Sequence, residues 1–285
     1  MKTLLAFRHN DGIGDWMMTM SILKMVNLQY PDILIDVGME QYYEPQAIHD
    51  VVDNMDVICR RVSNPDPDEY DYYCGKVGSW GEWRGGEWRG AEKVRGGRRH
   101  LIKGMIENFN LETGLNLQYD QKELAQFTNI VPFNHYKPYI VIPSCGRQYG
   151  GDGKRLSGEY DGWTTKTFGE KRFAELAKRI KKHYDIIQVG ASIEPILNEA
   201  NRIIMGRSFG EVVGVMRGAE FCIGEVNGLM HLAGHHGIKY YAIYCGGSEH
   251  PEFTSYENQV PTWGISLDSV LVTLPIKTLY MKGTG

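Results

Sequence analysis

The residues best equipped for chemistry fall in three stretches. The most pointed is Gly224-Glu225-Val226-Asn227-Gly228-Leu229-Met230-His231-Leu232-Ala233, directly after the apolar run Ala219-Glu220-Phe221-Cys222-Ile223. A short buried strand that ends in Gly, passes through Asn-Gly and restarts with apolar residues at helical spacing reads as strand, tight turn, helix. Asn227 is a good N-cap, and the amides of Asn227, Gly228 and Leu229 would point along the helix axis beyond the strand's carboxyl end. Such a turn is an anion site, and a diphosphate is its natural occupant. An ordinary βα turn needs no ligand, and on this stretch alone the two readings weigh equally. His231, one helical turn on, could reach a phosphate. His235 and His236 nearby raise a metal pair, but no third ligand has a recognisable spacing, so no metal is expected.

The second stretch is the Gly-rich turn R-H-N-D-G-I-G-D, from Arg8 to Asp15. Its closing carboxylate would serve as N-cap of a helix beginning at Trp16, a common use of Asp. The third is a tandem G-E-W-R-G, Gly81 to Gly85 and Gly86 to Gly90. Between Lys76 and Lys103 the basic residues Lys76, Arg84, Arg89, Lys93, Arg95, Arg98, Arg99 and Lys103 outnumber Glu82, Glu87 and Glu92, with Trp80, Trp83 and Trp88 interleaved. Arg pairs with phosphate and Trp stacks on a base or sugar. Trp83, Arg84, Trp88 and Arg89 are therefore expected to face an anionic, ring-bearing acceptor. A Gly-rich loop with solvated charges is the competing reading.

These stretches need elements to hold them. Residues 2 to 7 read as a buried first strand, and Trp16 to Tyr30 as a helix stopped by Pro31. A strand at Ile33 to Gly38, a helix around Glu44 to Val52 and a strand at Asp56 to Arg60 follow. That alternation opens a parallel doubly wound domain. After the insert, Leu101 to Phe109 resumes a helix, and residues 134 to 138 read as a linker before a fresh strand at Tyr139 to Pro143. The second half repeats the pattern. A helix from Lys171 to Tyr184, a strand at Asp185 to Gly190, a helix at Phe209 to Arg217 and strands at Glu220 to Ile223 and Tyr240 to Tyr244 are expected.

Composition bounds the rest. A chain of 285 residues with 42% hydrophobic and 23% charged residues is an ordinary globular protein of one large or two average domains. Neither a signal peptide nor a membrane span is expected. The five cysteines, Cys59, Cys74, Cys145, Cys222 and Cys245, form no C-x-x-C pair and fit reduced thiols in a cytoplasmic protein. The net charge of −4 predicts no general affinity for polyanions, so any such affinity must be local.

Three blocks in order carry a resemblance. They are G-I-G-D (Gly12 to Asp15) before an apolar helix ending in Tyr30-Pro31, K-T-F-G-E-K-R-F-A-E-L-A (Lys166 to Ala177), and G-E-V-N-G-L-M-H-L-A. Together they resemble the heptosyltransferase family of glycosyltransferases, family 9, of GT-B architecture, densely from Tyr139 to Tyr256 and thinly from Val62 to Val131. The resemblance implies an α/β fold of two Rossmann-like domains of GT-B type facing across a cleft. It places an acceptor-side domain at 1–135 and a nucleotide-sugar domain at 138–285. It implies metal-independent transfer of a sugar, with inversion, from a nucleotide diphosphate sugar to an acceptor hydroxyl, with no cofactor. Asp15 matches the family's general base and Lys166 its phosphate lysine, with Lys154 or Arg147 next in line. Asn227, Gly228 and Leu229 match its diphosphate cradle.

One position departs from the family pattern. The acid that contacts donor-sugar hydroxyls is replaced by Val226, leaving Glu225 to reach in from a shifted position or a less hydroxylated sugar to be used. The acceptor is a lipopolysaccharide core sugar, another bacterial surface glycan or a modified base of nucleic acid such as DNA. Basic loops allow peripheral contact with the inner face of a membrane. The alternative is an inactive nucleotide-binding module of the same fold. A Rossmann oxidoreductase is disfavoured, because the first turn lacks the full G-x-G-x-x-G and only Asp36 could close the next strand.

Overall fold

The computed structural model describes residues 2–8, 12–39, 45–63, 65–75, 82–84, 87–89, 101–143, 168–192, 194–244, 256–263 and 267–275. These residues divide into two compact units, one up to Asn129 and one from Ile130 onward. The division comes before residues 134–138 because the Val131 amide donates to the Gly210 carbonyl at 3.2 Å, tying this stretch to the second unit.

The first unit is built on β1 (Lys2–Arg8), α1 (Ile13–Gln29), β2 (Ile33–Met39), α2 (Pro45–Asn54), β3 (Arg60–Val62), β4 (Tyr72–Cys74) and α3 (Leu101–Thr113). Its sheet is parallel, in the order β3-β2-β1-β4. Leu4, Leu5 and Ala6 of β1 are buried, and α1 is itself buried on nearly every face, through Met17, Met18, Met20, Ile22, Leu23, Met25 and Val26. This helix begins at Ile13 and not at Trp16. Gly12 is its N-cap and Asp15 its third residue, so the Gly-rich turn supplies the first helical turn.

The third strand lies four residues later than expected, and β4 was not legible in the sequence. Tyr72-Tyr73-Cys74 is a strand because it lies beside Leu4, Leu5 and Ala6, with the Asp71 carboxylate accepting the Thr3 amide at 2.8 Å. Asp36 on β2 is 6% exposed, bidentate to Arg60 (2.9 and 2.7 Å) and accepting the Tyr70 hydroxyl at 2.8 Å. The Arg60 hydrogen bonds hold its carboxyl below the usual range against the opposing effect of burial. An acid so engaged belongs to the fold and is not presented to a ribose.

Two short strands, β5 (Glu82–Arg84) and β6 (Glu87–Arg89), pair antiparallel, with Trp83 opposite Trp88, Glu82 opposite Arg89 and Arg84 opposite Glu87. Successive residues of a strand belong to opposite faces. The register therefore sets the two tryptophan positions on one face of the pair and the four charged positions on the other.

The second unit contains β7 (Tyr139–Pro143), α4 (Glu170–Ile180), β8 (Asp185–Gly190), β9 (Arg202–Met205), α5 (Phe209–Arg217), β10 (Cys222–Glu225), α6 (Gly228–His235), β11 (Tyr240–Tyr244), β12 (Gln259–Trp263) and α7 (Leu267–Thr273). All its strand pairs are parallel, in the order β12-β11-β10-β7-β8-β9. Counted within the unit this is 6-5-4-1-2-3, the doubly wound order of dinucleotide-binding folds. One layer of its core packs Ile140, Ile142, Phe168, Phe173, Leu176, Phe221, Ile223 and Ile243 together. β12 escapes sequence reading because Pro261 lies within it, which an edge strand tolerates.

Among the described residues Cys59 and Cys222 are free thiols; Cys145 and Cys245 lie outside them. Burial, with Asp53 and Asp36 nearby, pushes the Cys59 thiol up to about 11, and burial alone raises Cys222 further. Neither is a thiolate at neutral pH. No helix among the described residues is long and apolar enough to cross a membrane.

Candidate active site

In doubly wound sheets ligands bind outside the carboxyl ends of the strands, where the strand order reverses. In the second unit that point lies between β7 and β10. It is bordered by the turn after β10, which leads into α6, and by the carboxyl end of β7. In the first unit the reversal lies between β1 and β4, beside Asp15. Gly75, which ends the described stretch after β4, donates its amide to Glu112 at 3.1 Å, and the Trp/Arg-rich insert departs there. Asp15 and the root of the insert thus share one sheet end.

The β10–α6 turn has the geometry of a capped helix start. Asn227 is extended (φ −152°, ψ −176°), and its side-chain oxygen accepts the amides of Leu229 at 2.9 Å and Met230 at 3.2 Å. This corrects the expected cradle in one respect: the Leu229 amide is already occupied by the cap. The Asn227 and Gly228 amides take part in no hydrogen bond within the described residues, so these two are the donors left for an anion.

Glu225 closes β10 and is 1% exposed. Its Oε1 accepts the Phe168 amide, and its carbonyl accepts the Tyr240 hydroxyl at 3.1 Å. A side chain so placed holds the backbone before α4. Lys166, two residues before Phe168 in sequence, lies outside the described residues, as do Lys154 and Arg147.

His231 is 8% exposed, and its Nδ1 lies 2.9 Å from the Tyr256 hydroxyl. Tyr256 packs edge-on against the rings of His231 and His235 and over Gly234, where a Cβ would come within 2.2 Å of the Tyr256 ring. Gln259 completes the lock, accepting the Tyr256 amide at 3.1 Å and donating to the Met230 carbonyl at 2.8 Å. His231 is therefore part of the anchor of α6 to the stretch before β12. Nothing local in the sequence signalled Tyr256 or Gln259 as its partners, since both lie beyond the following strand. His236 turns elsewhere, with Nδ1 3.2 Å from Arg217. Among the described residues no group of three or more His, Cys, Asp or Glu side chains could hold a metal ion.

Asp15 is half-buried at the third position of α1, and its Oδ2 accepts the Gly12 amide at 3.2 Å. It is thus not the N-cap, but it closes the cap from inside the helix. A separate groove of about 320 Å³ lies along β9, lined by Val131, Phe133, Arg202, Arg207 and Glu211. Arg202 stacks over Phe133 at 4.8 Å and Arg207 is 3.8 Å from Glu211, so this groove carries none of the phosphate-binding features of the turn after β10.

Two Rossmann-like domains, the second with its helix start at the strand-order reversal, define the GT-B architecture of nucleotide-sugar glycosyltransferases. No protein-family model matches the sequence, and no curated protein matches it. Solved structures do. The chain is similar to the Escherichia coli heptosyltransferase WaaC with ADP, at a TM-score of 0.61 and 14% identity over 95% of this chain and 98% of that one. It is similar to the E. coli ADP-heptose lps heptosyltransferase II, at 0.62 and 15% over 95% and 97%. It is also similar to TibC, the iron-containing dodecameric glycosyltransferase of enterotoxigenic E. coli H10407, at 0.57 and 16%, covering 91% of this chain but only 62% of TibC. The fold is thus heptosyltransferase-like. At these identities the likeness is one of fold, and activity is argued from the residues.

Proposed function

We propose that the protein is a glycosyltransferase that moves a sugar, with inversion, from a nucleotide diphosphate sugar to an acceptor hydroxyl. The observation that carries this reading is the turn after β10, a helix start capped by Asn227 at the strand-order reversal of a six-stranded doubly wound sheet, with the Asn227 and Gly228 amides in no hydrogen bond among the described residues. Charge grows on the departing diphosphate as the glycosidic bond breaks, and two amides at a helix start with a lysine are suited to stabilise it. Lys166 is the lysine assigned to that task, with no metal required. Asp15 is assigned as the base that takes the acceptor's proton while its oxygen attacks the anomeric carbon from the face opposite the diphosphate.

The insert from Lys76 to Lys103 is assigned to an anionic acceptor, a bacterial surface glycan or a modified base of DNA, because it begins at the sheet end that carries Asp15. In the competing reading the fold binds nucleotide without transfer, and the Val226 substitution favours it. The deciding experiment incubates the protein with a panel of nucleotide diphosphate sugars and follows release of the nucleoside diphosphate. Slow hydrolysis of one donor, abolished in Asp15→Asn while binding persists, supports transfer. Binding without turnover of any donor supports the module.

A further inference from the structure

Two helices begin at the strand-order reversal of the second unit, α4 after β7 and α6 after β10. Their starts are finished differently. α6 is capped by the neutral Asn227 side chain. α4 has Gly169 as N-cap, at φ +92°, a conformation that favours glycine, with no side-chain cap. The residue before it, Phe168, donates its amide to the carboxylate of Glu225.

A carboxylate at a helix start is stabilised by the helix dipole and accepts strong, charge-assisted hydrogen bonds. Glu225 is rigidly presented. It is 1% exposed, β10 pairs with both β7 and β11, and its carbonyl accepts the Tyr240 hydroxyl at 3.1 Å. Burial pushes that phenol well above its ordinary value, so it stays protonated and a donor. Phe168 is also fixed, 2% exposed and edge-on to Phe173 at 5.2 Å, with the Arg172 guanidinium 5.6 Å over its ring.

We propose that Glu225 is a positioning residue: its side chain supplies a buried hydrogen-bond acceptor to the Phe168 amide, fixes the approach to α4, and leaves the start of α6 as the end that takes the diphosphate. This rests on the reading of the turn after β10 as the diphosphate site and assigns Glu225 a role distinct from contact with the donor sugar. At the start of α4 a diphosphate would meet an approach already held by the Glu225 side chain, whereas at α6 it meets the uncharged Asn227 cap.

The test uses the full chain and three proteins: wild type, Glu225→Gln and Glu225→Ala. Gln retains an acceptor oxygen for the Phe168 amide and Ala does not. Hydrogen exchange of that amide, without ligand, should be near native in Gln and faster by about tenfold in Ala, the scale of a lost hydrogen bond. Binding of ADP and of ADP-glucose is then measured by calorimetry. Both affinities should fall together in Ala, by about tenfold, and recover together in Gln.

An unchanged Phe168 exchange rate in Ala would overturn the anchoring. Loss of ADP-glucose affinity with ADP affinity intact, in both variants, would overturn the assignment and make Glu225 a sugar contact. Failure of wild type to bind either probe would count against the diphosphate reading, while the exchange comparison would still decide the anchoring. Melting temperatures of the three proteins guard against a misfolded Ala variant, and a folded Gln variant whose Phe168 amide exchanges as fast as that of Ala would also overturn the role of the acceptor oxygen.

Discussion

Replacing Asp15 by Asn tests the proposed chemistry most sharply, because the structure says what the substitution keeps. The Asp15 carboxylate accepts the Gly12 amide at 3.2 Å across the first turn of α1. An Asn side chain offers the same acceptor oxygen, so that bond survives while the charge near the helix start is lost. That charge is worth about 0.3 to 1 kcal/mol, and for a chain of this size about 1 kcal/mol corresponds to roughly 2 to 4 °C in melting temperature. The Asn variant should therefore melt within about 4 °C of wild type. Removal of a general base costs about 10² to 10⁴ in rate, or roughly 3 to 5 kcal/mol of barrier. The catalytic effect exceeds the structural one several-fold, so the two readings do not overlap. Single-turnover transfer, or donor hydrolysis before an acceptor is known, is measured beside thermal unfolding and ADP binding. Transfer within a factor of a few of wild type would refute the base and leave Asp15 as a capping carboxylate alone.

Three further outcomes are expected. Asn227→Asp keeps the cap and adds a negative charge at the start of α6, so stability should hold or rise slightly while ADP affinity falls by about tenfold or more; equal affinity by calorimetry would move the diphosphate away from this turn. Gly234→Ala would gain about 1 kcal/mol from helix propensity, but its Cβ would meet the Tyr256 ring at 2.2 Å, so overpacking of about 1 to 3 kcal/mol should dominate; denaturant unfolding at or above wild-type stability would show that Tyr256 moves freely. The Asp36 carboxyl is held below its ordinary 3.8 chiefly by Arg60 hydrogen bonds, so the stability it contributes is present above that pH and is lost as pH falls through its lower folded value; melting curves of Asp36→Asn should then depend less steeply on pH below about 4 than those of wild type.

Local pattern carried much of this protein. The apolar run at Tyr139 to Pro143, the helix at Phe209 to Arg217 and the Asn-Gly restart after β10 are legible because burial and capping are written in adjacent residues. Asn227 was legible as an N-cap for the same reason. The sequence alone also held the three ordered blocks that point to a nucleotide-sugar transferase fold. The tertiary structure decided what depends on distant partners. β4 exists because it lies beside β1, and β12 tolerates Pro261 because it is an edge. Asp36 became structural only when Arg60 and Tyr70 closed on it. His231 was committed to Tyr256, 25 residues on, and Glu225 to Phe168, 57 residues back. A carboxylate looks the same in sequence whether it will meet a sugar hydroxyl or a backbone amide. Its use is set by which strand ends the fold brings side by side, and that is a property of sheet order, which no local window contains.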